Sequence, residues 1–243
     1  MILNDTATLN GILQDIYFNG KITASTFSAN DLLRIVNKYY KMLQGDLRAV
    51  NEDFFVEIST TDIVANTGGT YPNEYPWPQD YEKIKNLLVA MNPVNLSAPL
   101  NTEFQRVQII DANSVTDPSY VFSSPTAQAF ADSFLLWPLL PAYPVRGVMK
   151  CFYIPIQPDL AADTDKPNIF ADYHDAITWG SLIDIGHRMG RENLQKKAEL
   201  MFKSRRQEMK DYASSKILDG QSSVIEGQNQ GNWMFPFGQN GMS

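Results

Sequence analysis

The sequence predicts an α+β protein: a helical bundle core with an inserted β-sandwich-like domain and an extended C-terminal tail. Two observations place the helices and the strands. A helical period runs through the first fifty residues and returns near Phe170. Between these stretches lie short segments rich in aromatic and β-branched residues, broken by prolines. The grouping of like elements, without β and α in alternation, separates this class from a doubly wound parallel sheet. Helices at both ends of one chain share a core most simply when the β-region is an insertion. The predicted spans are 1–50 and 161–219 for the helical core, 51–160 for the insertion and 220–243 for the tail.

The first helix is expected over residues 6–20, where Leu9, Ile12, Leu13, Ile16 and Tyr17 share a face, although Gly11 weakens it. Ser28 to about Leu47 is the stronger helix. Ser28 with Asp31 looks like a capping arrangement, and Leu32, Leu33, Ile35, Val36, Tyr39, Tyr40 and Leu43 form a broad apolar stripe. Asn30, Arg34, Asn37, Lys38 and Lys41 occupy the opposite face.

The period changes near Asp53. Phe54 to Thr60 reads as a strand, and Asn66 to Pro78 as an exposed contact loop with Gly68-Gly69, Pro72, Pro76 and Pro78. Tyr81 to Met91 is strand or helix, with Leu87-Leu88-Val89 fitting a buried strand. Phe104 to Ile110, Tyr120 to Phe122 and Val148 to Ile156 are further expected strands. Trp137 to Pro144 is broken by proline and cannot be regular helix. The helical period then resumes from about Phe170 to Met189, with Tyr173, Ala176, Ile177, Leu182 and Ile185 inward. Gly190 punctuates it. A last helix runs from Glu192 to about Ile217 with Leu194, Ala198, Met201, Phe202, Met209 and Tyr212 on one face. Beyond Gly220 the composition turns to Gly, Gln, Asn and Ser and ends in Trp233-Met234-Phe235-Pro236-Phe237.

Hydrophobic residues make up 44% of the 243 and charged residues 19%, the balance of a folded chain. The net charge of −7 argues against a protein that grips nucleic acid, since phosphate affinity comes from Lys and Arg. It does not exclude a surface that DNA slides past. Cys151 is the lone cysteine, so no intrachain disulfide forms. Met1-Ile2-Leu3-Asn4-Asp5 lacks the basic and apolar regions of a signal peptide, and no apolar run is long enough to span a membrane.

Catalytic and metal motifs are missing. His174 and His187 lie thirteen residues apart, which fits no metal-binding spacing, and both read as helix-surface or capping histidines. Cys151 reads as a small buried hydrophobe. Asn66 to Thr70 is a turn, not a phosphate loop. The expectation is no enzyme, no cofactor and no metal site.

The clearest charge feature lies in the last helical run. Arg188, Arg191, Lys196, Lys197, Lys203, Arg205, Arg206, Lys210 and Lys216 face four acids there, Glu192, Glu199, Glu208 and Asp211, for a local charge of +5 against −12 in the rest of the chain. The first eight of these bases, with Trp233, Phe235 and Phe237 of the tail, are the candidate partner-binding residues. A solvated helix face and a disordered tail are the plainer alternatives.

Several segments together resemble the head-to-tail adaptor, or connector, proteins of short-tailed phages. They are Ser28-Ala29-Asn30-Asp31-Leu32-Leu33-Arg34-Ile35-Val36-Asn37-Lys38-Tyr39-Tyr40 and Tyr81-Glu82-Lys83-Ile84-Lys85. Tyr153-Ile154-Pro155 follows, with Leu160 and the Asp163-Thr164-Asp165-Lys166-Pro167 turn. Last comes Phe170-Ala171-Asp172-Tyr173-His174-Asp175-Ala176-Ile177-Thr178-Trp179-Gly180, running through Gly190 into a long helix. These are packing signatures. The chain departs from the family in its Gly69 to Pro78 loop, its Trp137 to Pro144 segment and its aromatic tail. The resemblance implies a structural virion protein made in the host cytoplasm and placed in the neck. It implies a homo-oligomeric ring, expected as a dodecamer, that binds portal protein on one side and tail or tail-tube proteins on the other, with viral DNA passing through and no membrane. The alternatives are another neck or tail ring, such as a stopper or gatekeeper, and a cytosolic binding module.

Overall fold

A computed structural model of the chain describes residues 1–23, 26–63, 74–91, 93–111, 125–137 and 147–227, with side chains in the last helix through Ile217. The fold is α+β. It divides into a helical unit, made of Met1–Phe54 and the chain from Pro158 onward, and a β unit spanning Phe55–Gln157.

The helical unit contains α1 (Ile12–Gly20), α2 (Ala29–Val50), α3 (Asp175–Arg188) and α4 (Glu192–Gly227). Ser28 caps α2 by accepting the Asp31 backbone N–H at 3.1 Å. The apolar stripe of α2 is buried, with Leu32, Val36, Tyr40, Leu43 and Leu47 at 2% exposure or less. It packs on α3 and α4, where Tyr39 meets Phe202 edge-on at 5.3 Å and donates its hydroxyl to Asp184 at 2.8 Å. Gly180 of α3 lies against the same ring: a Cβ there would sit 2.4 Å from Tyr39 Cδ1. The stretch after Pro158 is stitched to α2. Asn37 brackets Leu160, donating to its carbonyl at 2.9 Å and accepting its N–H at 2.8 Å. Tyr40 Oη accepts the Asn168 N–H at 3.0 Å. Phe54, Phe170 and Tyr212 form a chain of edge-on rings at 5.3 and 5.0 Å that fastens the end of the first segment to α4.

Among the described residues the β unit has two four-stranded sheets. The strands are β1 (Glu57–Ile63), β2 (Glu74–Pro76), β3 (Tyr81–Met91), β4 (Gln105–Arg106), β5 (Gln108–Asp111), β6 (Thr126–Ala129), β7 (Ser133–Trp137) and β8 (Gly147–Pro155). One sheet has the order β1-β8-β3-β4 and the other β2-β7-β6-β5. All pairings are antiparallel except β5 with β6. Strand alternation turns Leu87 and Val89 of β3 and Met149, Cys151 and Tyr153 of β8 to one face. There they join Tyr75, Trp77, Ala127, Phe134 and Leu136 from the other sheet in one apolar cluster. Trp77 stacks on Phe134 at 4.3 Å and donates its indole N–H to Phe130 O at 3.1 Å.

Several expectations are corrected. The first helix starts at Ile12, not at residue 6. Asp5 folds the preceding segment into a turn by accepting the Ala7 and Thr8 N–H groups at 3.0 and 2.9 Å, and Leu9 is left-handed at φ 58°. Gly11 is the N-cap, and a Cβ there would lie 2.4 Å from Asp5 N. Phe54 and Phe55 are not in a strand. Glu52–Phe55 is a 3-10 turn, because both rings turn into packing, and β1 begins at Glu57. Of the expected contact loop at Asn66 to Pro78, residues 66–73 lie outside the described residues, and the rest is partly interior: Glu74–Pro76 is β2, and Tyr75 and Trp77 are each 5% exposed. Tyr81–Met91 is strand. The Phe104 to Ile110 strand is two strands, β4 and β5, in different sheets. The strands β6 and β7 were not anticipated. Before α3 the chain makes a 3-10 turn, Ala171–Tyr173, so the helix begins at Asp175 instead of Phe170. On α4 the buried positions are Ala198, Phe202, Met209 and Ala213, while Met201 is 37% exposed. α4 continues to Gly227, so 220–227 is helix and not tail. Tyr120 to Phe122, residues 138–146 and residues 228–243 lie outside the described residues.

Candidate partner-binding surface

The basic residues predicted to dock partners fall on the end of α3, the turn after it and about the first half of α4. Gly190 makes that turn at φ +63°, a conformation that favours glycine, and the Arg191 N–H closes it on Gly186 O at 2.8 Å. The helical period then distributes the bases over different faces of α4.

Four of them are spent within the chain. Arg191 reaches back to the C-terminal end of α1, donating to Gly20 O at 2.7 Å. Arg205 donates to Asp175 at 2.8 Å and to Glu208 at 2.9 Å. Arg206 holds Asp46 of α2 through both of its nitrogens Nε and Nη2, the latter at 2.8 Å, and Lys210 adds a contact at 3.0 Å. Burial pushes the Asp46 carboxyl up, but the hydrogen bonds from Arg206 and Lys210 outweigh it, and the group lies below its ordinary value. These bases read from sequence as docking groups. The structure places them as internal staples, matched to Asp175 and to Asp46, the latter of which sequence reasoning did not single out. No local pattern signals those partners, since Asp46 lies 160 positions from Arg206.

The other four point outward. Arg188 and Lys203 are exposed with no ion-pair partner among the described residues. Lys196 makes only a loose 3.7 Å pair with Glu192, both largely solvated, and such pairs contribute about 0–1 kcal/mol. Lys197 lies 5.4 Å from the Trp179 ring centre. An open hollow of about 680 Å³ between α1 and the α3–α4 turn is lined by Lys21, Arg191 and Lys197 with Asn19, Asn193 and Glu192. Leu200, one turn beyond Lys196, is 72% exposed. The outward face of α4 therefore mixes the bases Lys196 and Lys203 with the exposed acids Glu192 and Glu199 and the apolar Leu200. Trp233, Phe235 and Phe237 lie outside the described residues.

Of the residues weighed for chemistry, Cys151 and His174 are enclosed. Cys151 is 4% exposed on β8, and burial pushes its thiol up to about 11, so it stays protonated near neutrality. His174 stands at the N-cap position of α3, one of the two places expected for it, but is not on the surface: it is 4% exposed, with Nδ1 3.1 Å from Met1 O and Nε2 3.2 Å from Ile169 O. Burial, then the nearby amino group of Met1, lowers its pKa. His187 is exposed near the end of α3. Among the described residues no three His, Cys, Asp or Glu side chains are grouped to hold a metal ion, and no helix is long and apolar enough to cross a membrane. No family model and no curated protein matches the chain.

Proposed function

We propose that this protein is a structural, non-enzymatic component of a tailed-phage virion: a head-to-tail adaptor that forms a ring between portal and tail and surrounds the path of the DNA. The observation that carries the reading is the division of the chain. A helical unit is built from both ends of the sequence, and a two-sheet β unit is inserted in the chain between them. This is the architecture implied by the resemblance that rests on the Ser28 to Tyr40, Tyr153 to Pro167 and Phe170 to Gly190 segments.

The charge distribution supports the same role. The overall charge of −7 suits a wall that passing DNA must not stick to. The outward bases Arg188, Lys196, Lys197 and Lys203 suit an acidic partner surface in the neighbouring ring. A ring closes when one patch on each subunit meets a different patch on the next. No cofactor and no turnover belong to this role.

The test is reconstitution. Purified protein mixed with portal rings is expected to add a second ring of density to one end of the portal in negative-stain images. Portal particles that remain bare at saturating protein contradict the proposal.

A further inference from the structure

We propose that the hollow between α1 and the α3–α4 turn is a docking site for an acidic segment of another protein, one that sets carboxylates against Lys21, Arg191 and Lys197 and apolar side chains against the rim. The site gives the acidic partner of the adaptor role a place to bind, but it stands on its own charge and shape and does not depend on a ring.

The walls belong to the helical unit. Lys21 follows α1 as its C-cap, in the left-handed conformation at φ 47°, and Gly190 turns the chain from α3 into α4 at φ +63°. The hollow between them has a volume of about 680 Å³, room for several side chains. Arg191 is fixed at its edge. Its backbone N–H donates to Gly186 O at 2.8 Å, its carbonyl accepts the Gln195 N–H at 3.0 Å, and its Nη1 donates to Gly20 O at 2.7 Å. All three partners are uncharged backbone groups, so the guanidinium charge is held in place without being neutralised. Lys21 and Lys197 are exposed, and neither has an ion-pair partner among the described residues; Lys197 lies 5.4 Å from the Trp179 ring centre. Glu192 is the one acid in the lining, and its carboxylate is 3.7 Å from Lys196. In a chain with 27 acids and 20 bases, three bases to one acid around a single hollow is a local reversal of charge.

The surroundings of the bases select a protein segment over nucleic acid. Phe18, next to the lining residue Asn19, is 81% exposed, and Leu200, three positions after Lys197 on α4, is 72% exposed. Asn19 and Asn193 add side-chain amides to the lining, donors and acceptors suited to a peptide backbone. A phosphate backbone engages the bases and leaves Phe18 and Leu200 in water. A segment that mixes acids with apolar residues covers both.

Peptide binding to the full chain tests this, read as fluorescence anisotropy at about 50 mM salt, where exposed charges are only partly screened. The probe is the labelled hexapeptide Glu-Glu-Leu-Glu-Glu-Leu, with its Gln-Gln-Leu-Gln-Gln-Leu counterpart and a thymidine hexanucleotide beside it. The acidic peptide is expected to bind saturably, and the other two at least about tenfold more weakly. Lys21→Gln/Lys197→Gln is expected to weaken the acidic peptide by about tenfold or more, with unchanged circular dichroism. Arg34→Gln/Lys166→Gln removes the same charge from outside the hollow and is expected to leave binding within about twofold of wild type. Equal losses in the two double variants would mean that the peptide reads net charge alone, and would overturn the site. Equally tight binding of the hexanucleotide would overturn the choice of a protein partner, and no saturable binding of the acidic peptide would overturn the proposal outright. None of these outcomes bears on whether the chain adds a ring to portal, which is read separately.

Discussion

Arg206 of α4 grips Asp46 of α2 across 160 positions of sequence, with Nη2 2.8 Å from the carboxylate oxygen and Lys210 on the same group at 3.0 Å. The contact joins the two chain segments that flank the β unit. Asp46 is 9% exposed, so its charge is tolerable only because it is matched. Asp46→Asn is expected to cost about 2 kcal/mol, read as a lower urea midpoint at unchanged slope. The pH dependence follows in sign. The folded carboxyl lies below its unfolded value of 3.8, so its contribution is complete above that value and is lost as pH falls through the lower folded one. The difference in stability between wild type and Asp46→Asn should therefore shrink below pH 3.8. A constant difference down to pH 2 would show that the ion pair adds nothing.

The Asn37 bracket on Leu160 makes a second prediction. Its amide satisfies both backbone groups of Leu160, a residue 3% exposed. Asn37→Ala leaves those groups without partners and is expected to cost about 2 kcal/mol in a thermal or urea melt. Asn37→Asp keeps the acceptor for the Leu160 N–H but loses the donor, and should fall between.

Gly180 separates packing from propensity. In an exposed helix, Gly→Ala stabilises by about 1 kcal/mol. Here the added methyl would meet Tyr39 Cδ1 at 2.4 Å and Phe202 Cε2 at 3.1 Å. Gly180→Ala is therefore expected to destabilise by about 1–3 kcal/mol. A higher melting temperature for the variant would mean that α2, α3 and α4 are not packed this closely.

Cys151 is expected to resist a maleimide at pH 7 in the native protein and to label in urea, because burial both covers the thiol and keeps it protonated. Rapid native labelling would contradict the closed two-sheet core.

The elements legible in the sequence were those whose burial follows a period. The stripe from Leu32 to Leu43 specified α2, and the Leu87-Leu88-Val89 run suited the strand β3. The strands β6 and β7 were not legible. Thr126-Ala127-Gln128-Ala129 has little β-character of its own, and Ala127 is held by the apolar cluster it shares with the facing sheet. Phe54 and Phe55 failed in the opposite way. Their composition is that of a strand, but the nearby Phe170 turns the backbone into a 3-10 turn. For the candidate site, sequence located the basic run but could not sort it. Whether an arginine is a staple or a free cation depends on a carboxylate such as Asp46, brought close only by the fold.

The tail gives a separable prediction. Deleting residues 228–243 removes Trp233, Phe235 and Phe237 while leaving every described element in place. The truncated protein is expected to fold with unchanged stability and to lose attachment to the neck, because buried aromatics dominate docking energy while each exposed Lys or Arg adds little. Intact infectivity of virions carrying the truncation would assign the tail no docking role.

The ring is the centre of the account, and the mass of the assembled protein tests it most directly. Native mass spectrometry, or sedimentation at the concentrations reached during particle assembly, should resolve a single closed oligomer of the stoichiometry expected for a portal-matched adaptor, a dodecamer, alone or on portal. A protein that remains monomeric or dimeric under both conditions would contradict the adaptor function.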